Sequence, residues 1–111
     1  MTSSVPPLPP HIFQILLSLA DRDLNGLGIM QDVLERSDGR IRLWPGMLYR
    51  TLQRLVREGL IVEAEGPPEP LAGNPRFYRL TAAGRRQCAD EAARLRDLVA
   101  VARARRLLRK S

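Results

Sequence analysis

Hydrophobic residues recur at helical spacing in the first third of the chain and predict two helices. In residues 11–21 the apolar positions stand at i, i+3, i+4 and i+7, namely Ile12, Ile15, Leu16 and Leu19. A second helix follows Asn25-Gly26, with an apolar face formed by Leu27, Met30, Val33 and Leu34. The polar residues 37–39 end it, and we expect Gly39 to adopt the left-handed conformation common after helices.

A third helix is predicted from Pro45 to about Glu58, because proline suits the first helical turn, where no N–H donor is needed. Three leucines form a narrow apolar stripe along it: Leu48, Leu52 and Leu55. The opposite side carries Arg50, Gln53, Arg54 and Arg57, with Met47 and Tyr49 at its edges. No acid separates the three arginines of this face, which is unusual for a helix face that is merely solvated.

Alternating patterns predict short strands on both sides of the third helix. Residues 40–43 alternate arginine with apolar residues and predict one strand before it. After it, Leu60, Val62 and Ala64 alternate with Ile61, Glu63 and Glu65, and in residues 76–81 Tyr78 and Leu80 share a face. Residues 66–75, with four prolines and two glycines, form the connecting loop. Three helices followed by such a hairpin predict a winged helix-turn-helix: a mainly α fold with a small antiparallel β-hairpin.

From Ala82 to about Leu108 the pattern is continuously helical and carries a second apolar stripe. Its members are Cys88, Ala92, Leu95, Val99 and Ala102, with Leu98 beside them, at the spacing of a coiled-coil seam. A helix of about 25 residues is about 40 Å long, too long to be covered by so small a domain. We therefore expect a long C-terminal dimerisation helix that makes the protein a homodimer.

These patterns divide the chain into a flexible proline-rich leader (1–10), a winged helix-turn-helix domain (11–81) and the dimerisation helix (82–111). The longest apolar run, residues 15–20, is too short to cross a bilayer, so no membrane association is expected. The first residues lack the basic and apolar regions of a secretion signal. The single cysteine, Cys88, forms no internal disulfide, which fits a reducing, cytoplasmic location.

The charge of the chain gives the first indication of function. Eighteen basic residues outnumber twelve acidic ones, and the formal net charge is +6. All the basic residues except Lys110 are arginine, the side chain best suited to bidentate contacts with phosphate and guanine. Composition alone equally fits a GC-rich genome that favours arginine codons. The placement of three arginines on one face of the third helix favours a nucleic-acid partner.

Four segments resemble the PadR family of regulators. Residues 43–49 (LWPGMLY), followed by Leu52, Leu55 and the run 58–61 (EGLI), are similar to the family's recognition helix and its exit into the wing. Residues 25–29 (NGLGI), 39–41 (GRI) and 76–81 (RFYRLT) with 83–85 (AGR) stand where the family has its other motifs. The resemblance covers roughly residues 12–86, and the order and spacing of the four segments make it specific.

The resemblance implies a DNA-binding transcriptional regulator of the repressor type that binds a pseudo-palindromic operator in double-stranded DNA as a homodimer. Some family members release DNA on binding a small phenolic or drug-like molecule, and no effector is identifiable for this chain. The sequence departs from the family pattern at four positions. Trp44 and Met47 replace small hydroxyl residues, Asn25 replaces a histidine, and Asn74 replaces an arginine of the wing.

Binding roles can be assigned residue by residue on this basis. The face of the third helix would enter the major groove, where arginine pairs with guanine and glutamine with adenine. Tyr49 would contact a phosphate, as the resemblance implies, and Arg42 and Arg76 would neutralise flanking phosphates. The predicted DNA-binding residues are Arg42, Tyr49, Arg50, Gln53, Arg54, Arg57, Asn74 and Arg76.

Each assignment has an alternative. The helix arginines could be only a solvated face, and Tyr49 could belong to the core. Arg76 could pair with Glu63 or Glu65 across the hairpin. We interpret Trp44 as a core or interface anchor rather than a platform that stacks a flat effector, and Cys88 as a small buried residue rather than a redox sensor.

Other function classes fit the sequence less well. His11 and Cys88 cannot form a usual structural zinc site, and no phosphate-binding glycine loop or nucleophile elbow is present, so we expect no enzyme, cofactor or metal. An RNA-binding surface would need stacking aromatics. The stronger rival is a winged-helix module that docks a partner protein without specific DNA binding. Glu63, Glu65 and Glu69 near the wing would oppose DNA, but a docking surface would show more exposed apolar area.

Overall fold

Four helices and three short strands make up the part of the chain that the computed structural model describes, residues 6–66 and 76–109. Their order is α1 (Pro10–Ser18), β1 (Leu24–Asn25), α2 (Gly26–Arg36), α3 (Pro45–Arg57), β2 (Ile61–Ala64), β3 (Phe77–Leu80) and α4 (Ala82–Ala104). The predicted helices are all present, and α4 is about 35 Å long by its rise per residue. It ends before Leu108 because Arg106 takes a positive φ of 61°. None of these helices is both long and apolar enough to cross a membrane.

The apolar stripe of α3 forms the centre of the core, as its spacing predicts. Leu48, Leu52 and Leu55 are each at most 1% exposed. They pack in one cluster with the buried faces of α1 and α2, which include Ile15, Leu16, Ile29 and Val33. Burial of each such side chain stabilises the fold by about 1.5–3 kcal/mol. This packing fixes which side of α3 remains in contact with solvent.

The strand predicted at residues 40–43 is wrong, and a different segment joins the hairpin. The sheet has the antiparallel order β1-β3-β2, with Leu24 opposite Tyr78 and Asn25 opposite Phe77. Residues 40–43 are irregular because the chain reverses at Gly39, whose φ is +80° as expected of a helix cap. The Ile41 N–H is then bonded locally, to Ser37 Oγ at 2.9 Å, rather than to a strand.

The hairpin β2–β3 is present, and the buried side of β2 carries Ile61 rather than the alternating set of Val62 and Ala64. Ile61 is fully buried whereas Val62 is 43% exposed. Leu60 is buried too, but it still belongs to the turn that ends α3, since its N–H bonds the Leu55 carbonyl at 3.0 Å. Strand alternation therefore starts at Ile61, and Glu63 shares its face.

The start of α4 is fixed closely against the end of α3. Thr81 caps α4 by accepting a hydrogen bond from Gly84 N–H at 3.0 Å, and its hydroxyl donates to the Gly59 carbonyl at 2.6 Å. Gly84 passes so near the backbone of Leu60 that a Cβ there would overlap the Leu60 carbonyl oxygen. Farther along α4, the buried Glu91 accepts a hydrogen bond from Leu8 N–H at 3.1 Å. The segment before α1 is thereby attached to α4.

Candidate nucleic-acid interface

The solvent-facing side of α3 is polar and cationic. Burial of the leucine stripe leaves Arg50, Gln53, Arg54 and Arg57 exposed, as the sequence predicts. Arg54 Nε lies 3.2 Å from Glu58 Oε2, one helical turn away on the same surface. Exposed pairs of this kind contribute little to stability, so Arg54 remains available to a stronger anionic partner.

Part of this face continues onto the hairpin. Gln53, Val56 and Arg57 of α3 line an open depression of about 350 Å³ together with Glu63, Arg76 and Tyr78. Arg76 Nη1 lies 3.1 Å from Glu63 Oε1, so the cross-hairpin pairing considered as an alternative for Arg76 is confirmed. Burial, followed by the charge of Glu63, raises the pKa of Tyr78, and its phenol therefore stays protonated.

Tyr49 lies beside the start of α2 rather than in the core. Its side chain is 47% exposed, and its ring lies so close to Gly26 that a Cβ there would come within 2.7 Å of the phenol oxygen. The hydroxyl is thus held near the first turn of α2, at the edge of the cationic face. The core alternative for Tyr49 is wrong because the stripe of three leucines already fills the space beneath α3.

A second depression, of about 300 Å³, lies between α2 and the segment before α3. It is mainly apolar, and its lining residues are Leu27, Met30, Gln31, Leu34, Arg42, Leu43, Trp44 and Pro45. Trp44 is 68% exposed, so the core part of its interpretation is wrong, while Leu43 beside it is buried. Arg42 lines this depression and not the one between α3 and the hairpin. The predicted contact residue Asn74 lies outside the described residues.

The apolar stripe of α4 is covered within the protomer only at its beginning. Cys88 is 7% exposed and belongs to the core, which confirms its interpretation as a small buried residue and removes it from the predicted dimer contacts. Burial raises the pKa of its thiol, which makes the reactive thiolate scarcer. Farther along, Leu98, Val99 and Val101 are 52%, 43% and 46% exposed.

Comparison with known proteins agrees with this architecture. Residues 15–90 match the Transcriptional regulator PadR-like family. The chain belongs to this family. Transcriptional regulator Rv3488 of Mycobacterium tuberculosis is 33% identical to it over 84 residues, which cover 76% of this chain and 74% of that protein.

Solved structures show the same fold as this PadR-like chain. Bacillus subtilis PadR in complex with operator DNA superposes with a TM-score of 0.66 at 22% identity, over 78% of this chain. The superposed part is 48% of that protein, so this chain spans about half its length. F93 from STIV, a winged-helix DNA-binding protein, gives a TM-score of 0.69 at 20% identity, covering 83% of this chain and 94% of that one. The fold is therefore a winged helix-turn-helix with a long C-terminal helix.

The structure shows the local surroundings of three residues that depart from the PadR-like pattern. Asn25 caps α2, since its Oδ1 accepts a hydrogen bond from Gly28 N–H at 2.8 Å. Trp44 occupies the N-cap of α3 and makes no side-chain cap there. Met47 Sδ accepts a hydrogen bond from Thr51 Oγ1 at 3.5 Å. The hydroxyls usual in this family at positions 44 and 47 are thus not replaced by equivalent donors.

Two features of the PadR-like surface are not predicted from the sequence. The sequence gives Glu63 as a charge that opposes DNA and as an alternative partner of Arg76, but it does not place Glu63 beside Gln53 and Arg57 in the depression. Leu27 was assigned to the core face of α2 but is 56% exposed. Its separation of six residues from the buried Val33, about 240° of helical rotation, is a signal that could have placed the two on different sides.

Proposed function

We propose that the protein is a sequence-specific double-stranded-DNA-binding regulator that represses transcription from a pseudo-palindromic operator as a homodimer in the cytoplasm. The observation that carries this proposal is the cationic exposed face of α3 beside the hairpin that bears Arg76. The likeness to Bacillus subtilis PadR, a structure that includes operator DNA, supports it. A regulator built on this fold places one helix in the major groove and uses the wing beside it.

In this proposal the face of α3 reads the bases. Gln53 is suited to bidentate contact with adenine, and Arg50, Arg54 and Arg57 are suited to guanine. The i, i+3, i+4 and i+7 spacing of these four residues aligns them along one side of the helix, so together they can follow one stretch of groove. Each good bidentate contact discriminates by about 1–3 kcal/mol against the wrong base.

Residues around this face would contact phosphates and fix the register. Tyr49 would donate from the edge of α3, Arg76 and Asn74 would act from the wing, and Arg42 would act from the segment before α3. These contacts carry no sequence information, but they make affinity fall steeply with salt. The surface pair of Arg76 with Glu63 is weak enough to be broken by a phosphate.

We propose that the dimer forms through the uncovered part of α4. The contact residues are Ala92, Leu95, Leu98, Val99 and Ala102, which continue the helix beyond the core contact at Cys88. The exposed apolar surface of this segment supports the proposal, because water-exposed leucine and valine at seam spacing are stabilised by a second helix. Two reading helices related by a two-fold axis would match half-sites about 34 Å apart.

The depression at Trp44 supports two further proposals, a site for a small-molecule effector and a surface that docks a partner protein. An apolar concavity with few polar groups is suited to a small-molecule effector, and its position next to the N-terminus of α3 would couple binding to DNA release. The same exposed apolar residues, Leu27 and Trp44, favour the rival function of a protein-docking module. Because Trp44 is the single tryptophan, its fluorescence reports directly on either kind of binding.

Fluorescence anisotropy with genomic and random duplexes at several salt concentrations tests the proposal. We expect a subset of genomic fragments to bind at least 1,000-fold more tightly than random DNA at fixed salt. Arg57→Ala should weaken that subset about 10-fold or more. Arg96→Ala is the matched control, since Arg96 is an exposed arginine paired with Asp97 on α4, and it should change affinity less than about 2-fold. Equal affinity for all duplexes, with no effect of Arg57→Ala, would leave the docking module as the better function.

A further inference from the structure

One acidic side chain lies inside the proposed DNA-contact surface. Glu63 lines the depression between α3 and the hairpin with Gln53 and Arg57, residues that the proposed function assigns to DNA. Its side chain is 52% exposed. Among the residues that line this depression, Glu63 is the acidic one. In the proposed DNA complex, this carboxylate would face the same anionic DNA backbone as the arginines around it.

The register of the hairpin explains why Glu63 faces α3. Ile61 pairs with Leu80 and Glu63 pairs with Tyr78, and residues paired across an antiparallel ladder project from the same side of the sheet. Ile61, Leu80 and Tyr78 are all buried, so this side is the one directed at the domain. Glu63 stands at its outer end. A shift of one residue would have directed the carboxylate away from the depression.

The chemistry of a carboxylate differs toward the two parts of DNA that it can meet. An ionised carboxylate only accepts hydrogen bonds, and phosphate oxygens have no donor to offer it. The exocyclic amino groups of bases do have donors, and glutamate and aspartate accept from cytosine in this way. The phosphate backbone of DNA therefore repels this carboxylate. A base with an exocyclic amino group can donate a hydrogen bond to it.

We propose that Glu63 is a specificity-determining residue that weakens binding to random DNA and accepts a hydrogen bond from a base amino group in the operator complex. The inference rests on the proposed function and names an additional reader within it. In the protein without DNA, Glu63 Oε1 forms an ion pair with Arg76 Nη1 at 3.1 Å. In the operator complex the base takes the place of Arg76, and the guanidinium is released to a phosphate. On random DNA no donor is in place, and the carboxylate remains a repulsive charge.

The substitution Glu63→Gln tests this exchange while keeping the shape of the side chain. Glu65→Gln is the matched control, because Glu65 is also exposed, directly after β2, but does not line the depression. Affinities for the best genomic fragment and for random duplexes are measured over a range of salt, with thermal melting at equal protomer concentration to verify folding. An amide retains an acceptor but loses the charge.

For Glu63→Gln we expect random-DNA affinity to rise about 3- to 10-fold, and the salt slope on random DNA to steepen by about 0.9, equivalent to one more phosphate contact. Operator affinity should stay the same or fall, so the specificity ratio drops by at least the same factor. Glu65→Gln should leave the ratio within about 2-fold of wild type. Scanning the operator should locate one base pair whose replacement weakens wild type more than the variant, because a neutral amide accepts the hydrogen bond of a base more weakly than a carboxylate does.

Three results would overturn the inference. Equal strengthening on operator and random DNA would show that Glu63 acts only as background charge. An unchanged ratio, or the same change in Glu65→Gln, would show that its position in the depression has no effect. If the wild type itself does not distinguish genomic fragments from random DNA, the proposed function fails together with the inference. A selective wild type with an unaltered ratio in Glu63→Gln refutes the inference alone.

Discussion

Replacing Gly84 by alanine should destabilise the fold, although alanine is normally the better residue in a helix. The helix preference alone would stabilise the variant by about 1 kcal/mol. Against this, a Cβ at Gly84 would overlap the Leu60 carbonyl oxygen and lie 3.0 Å from the carbonyl carbon and 2.9 Å from Leu80 Cδ1. Ordinary carbon contacts are about 3.5–4.0 Å, so α4 would have to move away from the end of α3.

The obstacle at this position is backbone, which cannot rotate aside as a side chain does. The Leu60 oxygen is also held by Thr81 N–H at 3.1 Å, and withdrawal of α4 would strain that bond. Overpacking usually costs about 1–3 kcal/mol, and a backbone clash belongs at the upper end. Subtracting the helix preference leaves a net destabilisation of about 2 kcal/mol, or a Tm lower by about 8 °C or more.

Urea unfolding and thermal melting at one fixed protomer concentration measure this effect, since dimerisation makes stability concentration-dependent. Gly46→Ala is the matched control: Gly46 also lies in the first turn of a helix, but a Cβ there would meet no atom within 4 Å. That variant should be as stable as wild type or more stable by up to about 1 kcal/mol. A Gly84→Ala variant as stable as Gly46→Ala would refute the close approach of α4 to Leu60.

Two further predictions concern α4. Leu98→Glu should weaken self-association at least 100-fold, because Leu98 is 52% exposed in one protomer and its burial would be lost twice in a symmetric dimer. Sedimentation over a concentration series should show monomers. An unchanged dimer would contradict the proposed dimer contact through α4. Glu91→Gln should destabilise the protein at neutral pH, since the hydrogen bond from Arg94 holds the pKa of Glu91 below its usual 4.5. A lowered pKa stabilises the fold above the unfolded value, so the difference between the two proteins should shrink as pH falls below about 4.5, which urea titrations at pH 7 and pH 3.5 would detect.

The part of the candidate site on α3 was predictable because it depends only on the helical repeat of a single segment. A single 3.6-residue repeat places Leu48, Leu52 and Leu55 on one side and therefore Arg50, Gln53 and Arg57 on the other. The hairpin part was less predictable, because Leu60 and Ile61 are both apolar and alternation alone fits either phase. The structure decides between them: Leu60 completes the turn after α3, and Ile61 begins the strand.

Longer-range contacts also lay beyond the sequence pattern. Leu24 and Asn25 form a strand because they lie beside the edge of β3. A segment of two residues is too short to show the alternation by which a strand is predicted. The hydrogen bond between Leu8 and Glu91 joins positions 83 residues apart. Likewise, the exposure of Trp44 depends on where α2 lies relative to the segment before α3. Residue type alone favours burial of a tryptophan.

The helices, the cap at Gly39, the basic side of α3 and the resemblance to the family follow from the sequence alone. These features are local, since each is set by residues within a few turns of one another. The tertiary structure decided the third strand, the face of β2, the ion pair of Arg76 with Glu63 and the close passage of Gly84. Each of these depends on which two distant segments share an edge or a surface, and that is settled by packing the whole chain around one core.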